Sequence, residues 1–105
     1  MARLNPSYGS EQAGERPGVV VSRDAINQSS PVGVIVPVTD RKHKARIYPS
    51  HVVLQTGEGG LTKESVALAE QVRAINKTRF TDYLGHLSDS SITQIGAALK
   101  IALDL

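Results

Sequence analysis

Between Val32 and Thr39 every second residue is a valine, at positions 32, 34, 36 and 38. Successive side chains of an extended strand point to opposite faces, so these four share one face and Ile35 and Thr39 share the other. Valine loses side-chain freedom in a helix and packs well on a pleated surface, which strengthens the strand reading. A second β-branched run, Pro17-Gly-Val-Val-Val-Ser22, reads as a buried strand. Pro37 cannot donate a ladder hydrogen bond, so the alternating strand is expected to lie at an edge or to be bulged there.

The material for a core is narrow. Hydrophobic residues make up 40% of the 105, yet aromatics only 4%: Phe80, Tyr8, Tyr48 and Tyr83. The core must therefore be built from Val, Ile, Leu and Ala, in a chain of the length of one domain, residues 1–105. The absence of Cys excludes disulfides, Cys-based zinc sites and a thiol nucleophile. Apolar runs are far shorter than the roughly 20 residues that span a bilayer, and no charged-then-apolar leader opens the chain. A soluble, cytoplasmic protein with no membrane partner is the expectation.

Twelve Lys and Arg face ten Asp and Glu, too even a balance to announce nucleic-acid binding. The distribution is less even, with seven cations and four anions in residues 1–50 against five and six thereafter. The excess sits in Arg41, Lys42, Lys44 and Arg46, a run that could meet phosphates or form a solvated charged loop.

Elsewhere the pattern is mixed. Asn5-Pro6, Gly9-Ser10 and Gly14 make the first fifteen residues loop-like, and Asn27 to Pro31 reads as a polar turn. Ile47 to Gln55 is a third extended segment broken by Pro49, followed by a flexible connection at Gly57, Gly59 and Gly60. Residues 65–76 are ambiguous. Their Ala, Glu and Gln favour a helix with Leu68, Val72 and Ile75 as its stripe, but Val66, Leu68, Val72 and Ala74 also alternate, with Glu70 out of pattern. Propensity leans to helix. Ser88 suits the N-cap of a helix from Asp89 to Leu103, with Asp89 in its first turn and Ile92, Ile95, Leu99 and Leu103 on its buried face.

Most catalytic templates fail. His43, His51 and His86 lack the spacing and carboxylate company of metal ligands, and no Gly-x-Ser-x-Gly elbow exists. Gly57-Glu-Gly-Gly lacks the Lys-Ser/Thr of a phosphate loop. What remains is Arg16 entering one strand, Thr39 leaving another, and a Gly-flanked loop carrying Ser10, Glu11 and Gln12.

Those residues carry a resemblance. Leu4-Asn-Pro-Ser-Tyr-Gly-Ser-Glu-Gln-Ala-Gly-Glu-Arg-Pro-Gly-Val-Val-Val-Ser resembles the opening of the MazF/PemK toxin family of bacterial toxin–antitoxin systems. It continues in Val36-Pro-Val-Thr39, Pro49-Ser-His51, and the segment from Leu61 to Phe80 with its Glu70-Gln-Val-Arg-Ala-Ile-Asn core. Two departures stand out. Only Met1-Ala2-Arg3 precedes Leu4 where the family has a longer first strand, which implies a truncated strand, and Asn76 replaces a common Asp.

The resemblance implies a mainly-β (α+β) fold, a small twisted antiparallel β-barrel of the CcdB/MazF type closed by a C-terminal α-helix. It makes the ambiguous segment a strand, tertiary pairing overriding propensity. It implies a homodimer whose groove crosses the subunit interface, blocked by a cognate antitoxin. The implied activity is metal-independent, sequence-selective cleavage of single-stranded RNA, leaving a cyclic phosphate and a 5′-hydroxyl, with no cofactor. Because the RNA supplies its own 2′-hydroxyl as nucleophile, the protein only has to move protons and stabilise charge at phosphorus. Arg16 and Thr39 match the catalytic Arg and hydroxyl, and Glu11 is the nearby carboxylate that could take the 2′ proton. Ser10, Gln12, Lys42, His51, Glu70, Gln71 and Arg73 are the implied RNA-binding residues. With so few aromatics, recognition should lean on hydrogen bonds. Two other readings stay open: a CcdB-like gyrase poison, and an inactive toxin that only binds antitoxin.

Overall fold

The computed structural model describes residues 3–8, 16–79 and 84–105; side chains of 3–8, 16, 24 and 27 lie outside the description. The described residues form seven antiparallel strands and two helices. Strands β1 (Arg3–Tyr8), β2 (Arg16–Val20) and β3 (Val32–Asp40) pair in sequence order. β4 (His51–Leu54), β5 (Ser65–Leu68), β6 (Arg73–Asn76) and β7 (Gly85–His86) complete the order β4-β5-β3-β2-β1-β7, with β6 also on β3. A short helix α1 (Asp24–Ser29) links β2 to β3, and helix α2 (Asp89–Leu103) ends the chain.

The expectation for Pro37 is corrected, because β3 lies in the middle of the sheet. β2 covers one side of it, while the other side is shared by β6 along Val32–Ile35 and β5 along Val38–Asp40. Val34 sends both its C=O and its N–H toward the β2 side, to Val21 N and Ser22 Oγ. Backbone polarity alternates along a strand, so Pro37 N faces the other side, where β6 has ended and β5 has not begun. The missing donor therefore falls in a gap between partners and breaks no rung.

The same gap resolves the ambiguous segment. Ser65–Leu68 and Arg73–Asn76 are strands, and Ala69–Gln71 between them is one 3-10 turn. Glu70, the residue that broke the alternation, sits in that turn. Other expectations change as well. β1 runs six residues where a loop was expected, α1 occupies most of the supposed polar turn, and the third extended segment contracts to four residues.

The main core lies on one face of the sheet. Val19, Val36, Val38, Val52, Leu54, Ala67, Ile95 and Ala98 join in it, and α2 lies over β4 and the 69–71 turn. A smaller cluster, Val20, Ile35 and Ile75, marks the opposite face. Neighbours Ile35 and Val36 are thus both buried, one on each side, so the simple valine face holds only at Val36 and Val38 while Val32 and Val34 are half-buried.

α2 begins at the expected residue, with the Ser88 hydroxyl accepting from Ser91 N at 3.2 Å. Its buried positions are Ser91, Ile95 and Ala98, with Ile92 and Leu99 beside them; Leu103, expected to be buried, is 52% exposed. Before α2, the glycines form a fixed turn rather than a flexible one. Gly60 has φ +86, and a Cβ there would stand 2.8 Å from the Leu84 carbonyl oxygen. Only glycine fits both constraints.

Candidate functional site

Of the sequence's candidates, Thr39 and His51 lie on the face opposite α2. On β3, Thr39 has the same strand parity as Ile35 and so shares its face. It pairs with Val66 on β5, which pairs in turn with Val53 on β4. On the other side, β2 meets β3 with Gly18 opposite Pro37, Val19 opposite Val36 and Val20 opposite Ile35. Arg16 opens β2 two residues before this paired stretch, and Thr39 lies two residues beyond Pro37 on β3. One row thus crosses three strands: Val53, Val66 and Thr39. Thr39 is half-buried, on the fully buried base of Val66. Ser10, Glu11 and Gln12 lie outside the described residues.

The next row on this face begins with His51, opposite Leu68. Its side chain is 3% exposed and both ring nitrogens are engaged. Nδ1 accepts from the Tyr48 backbone N–H at 3.2 Å. A neutral imidazole has one acceptor and one donor, so Nε2 carries the hydrogen and donates it to Glu70 Oε2 at 3.0 Å. The other oxygen of Glu70 accepts from Ser50 Oγ, also at 3.0 Å. The backbone closes the arrangement, since Ala69 N–H donates to the Ser50 carbonyl at 3.0 Å. Burial pushes the Glu70 carboxyl up, but its own backbone N–H, His51 and Ser50 together outweigh this and hold it below its ordinary value. The Glu70 side chain remains 40% exposed, and Gln71 and Arg73 beyond it are exposed.

A second polar group sits where β3 ends. Asp40 Oδ1 accepts from Lys42 N at 3.0 Å, capping the 3-10 turn Arg41–His43. Its other oxygen faces Lys63 Nζ at 3.5 Å and Lys42 Nζ at 4.0 Å. The Lys42 backbone N–H, with the two ammonium groups, lowers the Asp40 pKa against the effect of desolvation. Arg41 is held by the Lys44 carbonyl and lies 4.0 Å from Glu64, so the basic run is partly balanced by acid.

Of the RNA-binding candidates, then, the structure joins His51 to Glu70, sets Gln71 and Arg73 just beyond, and places Lys42 in the separate group next to Thr39. Ser50 and Lys63 were not singled out from the sequence. Ser50 had a usable signal in its position next to His51, whereas Lys63 had none, since its partner Asp40 is remote in sequence. Among the described residues no three of His, Asp and Glu gather as metal ligands. Among them, too, no helix is long and apolar enough to cross a membrane.

Comparison with known proteins adds identity to this geometry. Endoribonuclease EndoA of Bacillus subtilis is 39% identical over 104 residues, spanning 99% of this chain and 89% of that one. Endoribonuclease MazF of Staphylococcus saprophyticus is 39% identical over 105 residues, spanning 100% and 87%. Among solved structures, an endoribonuclease in complex with its cognate antitoxin from mycobacterial species aligns with a TM-score of 0.82 at 25% identity, covering 98% of this chain and 92% of that one. A sequence model of the PemK-like, MazF-like toxins of type II toxin–antitoxin systems matches residues 1–103. The chain belongs to that toxin family.

Proposed function

We propose that this toxin is an endoribonuclease that cleaves single-stranded mRNA without a metal and thereby arrests growth. The observation that supports the reading is that Arg16 opens β2 and Thr39 lies near the end of β3, the strand with which β2 pairs. In the proposed reaction the RNA 2′-oxygen bonds to phosphorus as its proton passes to Glu11. The bond from phosphorus to the 5′-oxygen breaks, and that oxygen takes up a proton from solvent or a site donor. The products are a 2′,3′-cyclic phosphate and a 5′-hydroxyl. Arg16 contributes a planar fork of donors to the phosphate oxygens, and Thr39 a hydroxyl that orients them. Ser10, Gln12, Lys42, Glu70, Gln71 and Arg73 hold the strand. His51, placed in the groove by the sequence reading, contributes from beneath it.

The protein is further proposed to work as a cytoplasmic homodimer inhibited by a cognate antitoxin, a partner of the kind bound in the mycobacterial complex. Ile92, Ile95 and Leu99 are committed to the chain's own core. The apolar surface left for a partner subunit includes Ile101, Leu103 and Leu105, each more than half exposed.

The test is to incubate a long RNA with the purified protein in excess EDTA, map the cut ends, and run a gyrase supercoiling assay in parallel. Cyclic-phosphate ends with EDTA present are expected, and Arg16→Ala should lower the rate by roughly 100-fold or more. Thr39→Val should also slow it. Gyrase inhibition without RNA cleavage would move the chain to the poison reading, and antitoxin binding without either activity to the inactive one. Neither alternative draws support from the relatives above.

A further inference from the structure

The His51 network has an inverted exposure: the imidazole is buried and the carboxylate is open. With Nδ1 bound to the Tyr48 N–H and Nε2 to Glu70, His51 has no polar atom left for a ligand. Glu70 does. A carboxylate offers roughly four acceptor sites, of which Ser50, His51 and its own backbone N–H take three, leaving about one. That site belongs to a group 40% exposed, rooted in a turn pinned to Ser50 by the Ala69 hydrogen bond. The result is a pre-positioned anion that accepts and does not donate.

We propose that Glu70 reads one base of the RNA, favouring an amino-bearing base over uracil, and that His51 and Ser50 are positioning residues acting through it. The proposal rests on the ribonuclease reading. Adenine, cytosine and guanine each present an amine whose hydrogen a fixed carboxylate accepts. Uracil presents a single N–H on the same edge, flanked by two carbonyl oxygens that an anion repels. Glutamine at position 70 relaxes this preference, because its amide also accepts from the uracil N–H and donates to a neighbouring carbonyl, while still pairing with an amino-bearing base.

Cut-site mapping on a long RNA of mixed sequence, with wild type and variants side by side, decides the matter. Wild type should show one position of its cleavage motif depleted in uracil. Glu70→Gln should raise cleavage at uracil-bearing sites, relative to amino-bearing ones, by about tenfold or more at that position alone. His51→Leu should blur preference at the same position, whereas His51→Gln, whose amide donates where Nε2 did, should restore it. Ser50→Ala should blur it more weakly and serves as the test should His51→Leu fail to fold, as a thermal melt would show. Wild-type cleavage with an unchanged motif in Glu70→Gln overturns the base-reading role. Blurring in His51→Gln as severe as in His51→Leu overturns the positioning role. No cleavage by wild type overturns the ribonuclease reading, and this proposal with it.

Discussion

Two turns on this molecule carry charge next to the row of Thr39, and they are built on different terms. At the 69–71 turn the partners meet at 3.0 Å, around a ring only 3% exposed. At the end of β3 the ion pairs are 3.5 to 4.0 Å long, and the lysine side chains are 65% and 69% exposed. Each group contains a carboxylate with a lowered pKa, so electrostatics alone does not separate them. Burial does. A buried donor that loses its partner has no water to turn to, while an exposed lysine exchanges its carboxylate for solvent at little cost. The first turn is fixed by its side-chain partners, whereas the second is capped by Asp40 and only decorated by its lysine ion pairs.

The largest expected break in this contrast is His51→Ala. It opens a cavity above Leu68 and orphans the Tyr48 N–H, and should cost about 2 to 4 kcal/mol. Urea unfolding of the variant measures it. A loss below about 0.5 kcal/mol, the scale of a surface substitution, would mean that the buried ring contributes no more than the exposed lysines.

An intermediate case sits at the start of α2. There Glu58 Oε1 accepts from the Ser88 N–H at 3.0 Å and its hydroxyl at 2.8 Å, while the same hydroxyl accepts from Ser91 N. Ser88→Ala removes the cap and one contact to Glu58, and should cost about 1 kcal/mol by the same unfolding measurement. Ser88→Asp keeps an N-capping acceptor but sets a second anion against Glu58. It should recover less than capping preference alone suggests.

How legible each of these regions is from sequence follows the same division between local and distant causes. The start of α2 is readable because Ser88, Asp89 and the helical stripe are neighbours in sequence. The 65–76 segment is not, since its propensities and its alternation conflict. What decides between them is β3, which takes two separate partners and leaves a gap for the 3-10 turn. Pro37 misleads for the same reason: a missing donor reads as an edge unless the gap is known. At the site, Thr39, His51 and Glu70 were found through a family motif, and chain order says nothing of their arrangement. Nor could sequence show that His51 lies beneath Glu70 rather than beside it, because burial of one histidine depends on packing from Tyr48, Leu68 and the turn together.

Acid sharpens the comparison further. The folded-state pKa values of Glu58 and Glu70 lie below the ordinary 4.5, hydrogen bonds outweighing burial in each. A depressed carboxyl contributes stability that is fully present above its unfolded pKa and is lost as pH falls through the folded one. Stability should therefore decline on acidification from about pH 4.5 downward, the unfolded value of both groups. Glu70→Gln should flatten part of that decline, and Glu58→Gln another part. Unfolding curves at a series of pH values check this. A variant whose acid slope matches wild type would show that its carboxyl titrates alike in both states.

The smallest effect belongs to the exposed group, and it is diagnostic because it is small. Lys63 lies 3.5 Å from Asp40, but its side chain is 65% exposed and Lys42 stands ready on the same oxygen. Lys63→Ala should therefore change stability by less than about 0.5 kcal/mol, within the range for surface ion pairs. Salt should erase even that, since roughly 1 M salt shortens the screening length to about 3 Å, below the pair's own separation. Ser88→Ala and His51→Ala should keep most of their penalties at the same salt, because the cap from Ser88 to the Ser91 N–H and the bond from the Tyr48 N–H to His51 join neutral groups. Unfolding all three variants at low and high salt thus sorts the molecule's polar contacts by one criterion. A salt-independent loss above about 1 kcal/mol for Lys63→Ala would show that the end of β3 is held by its charges after all, and the distinction between the two turns would fall.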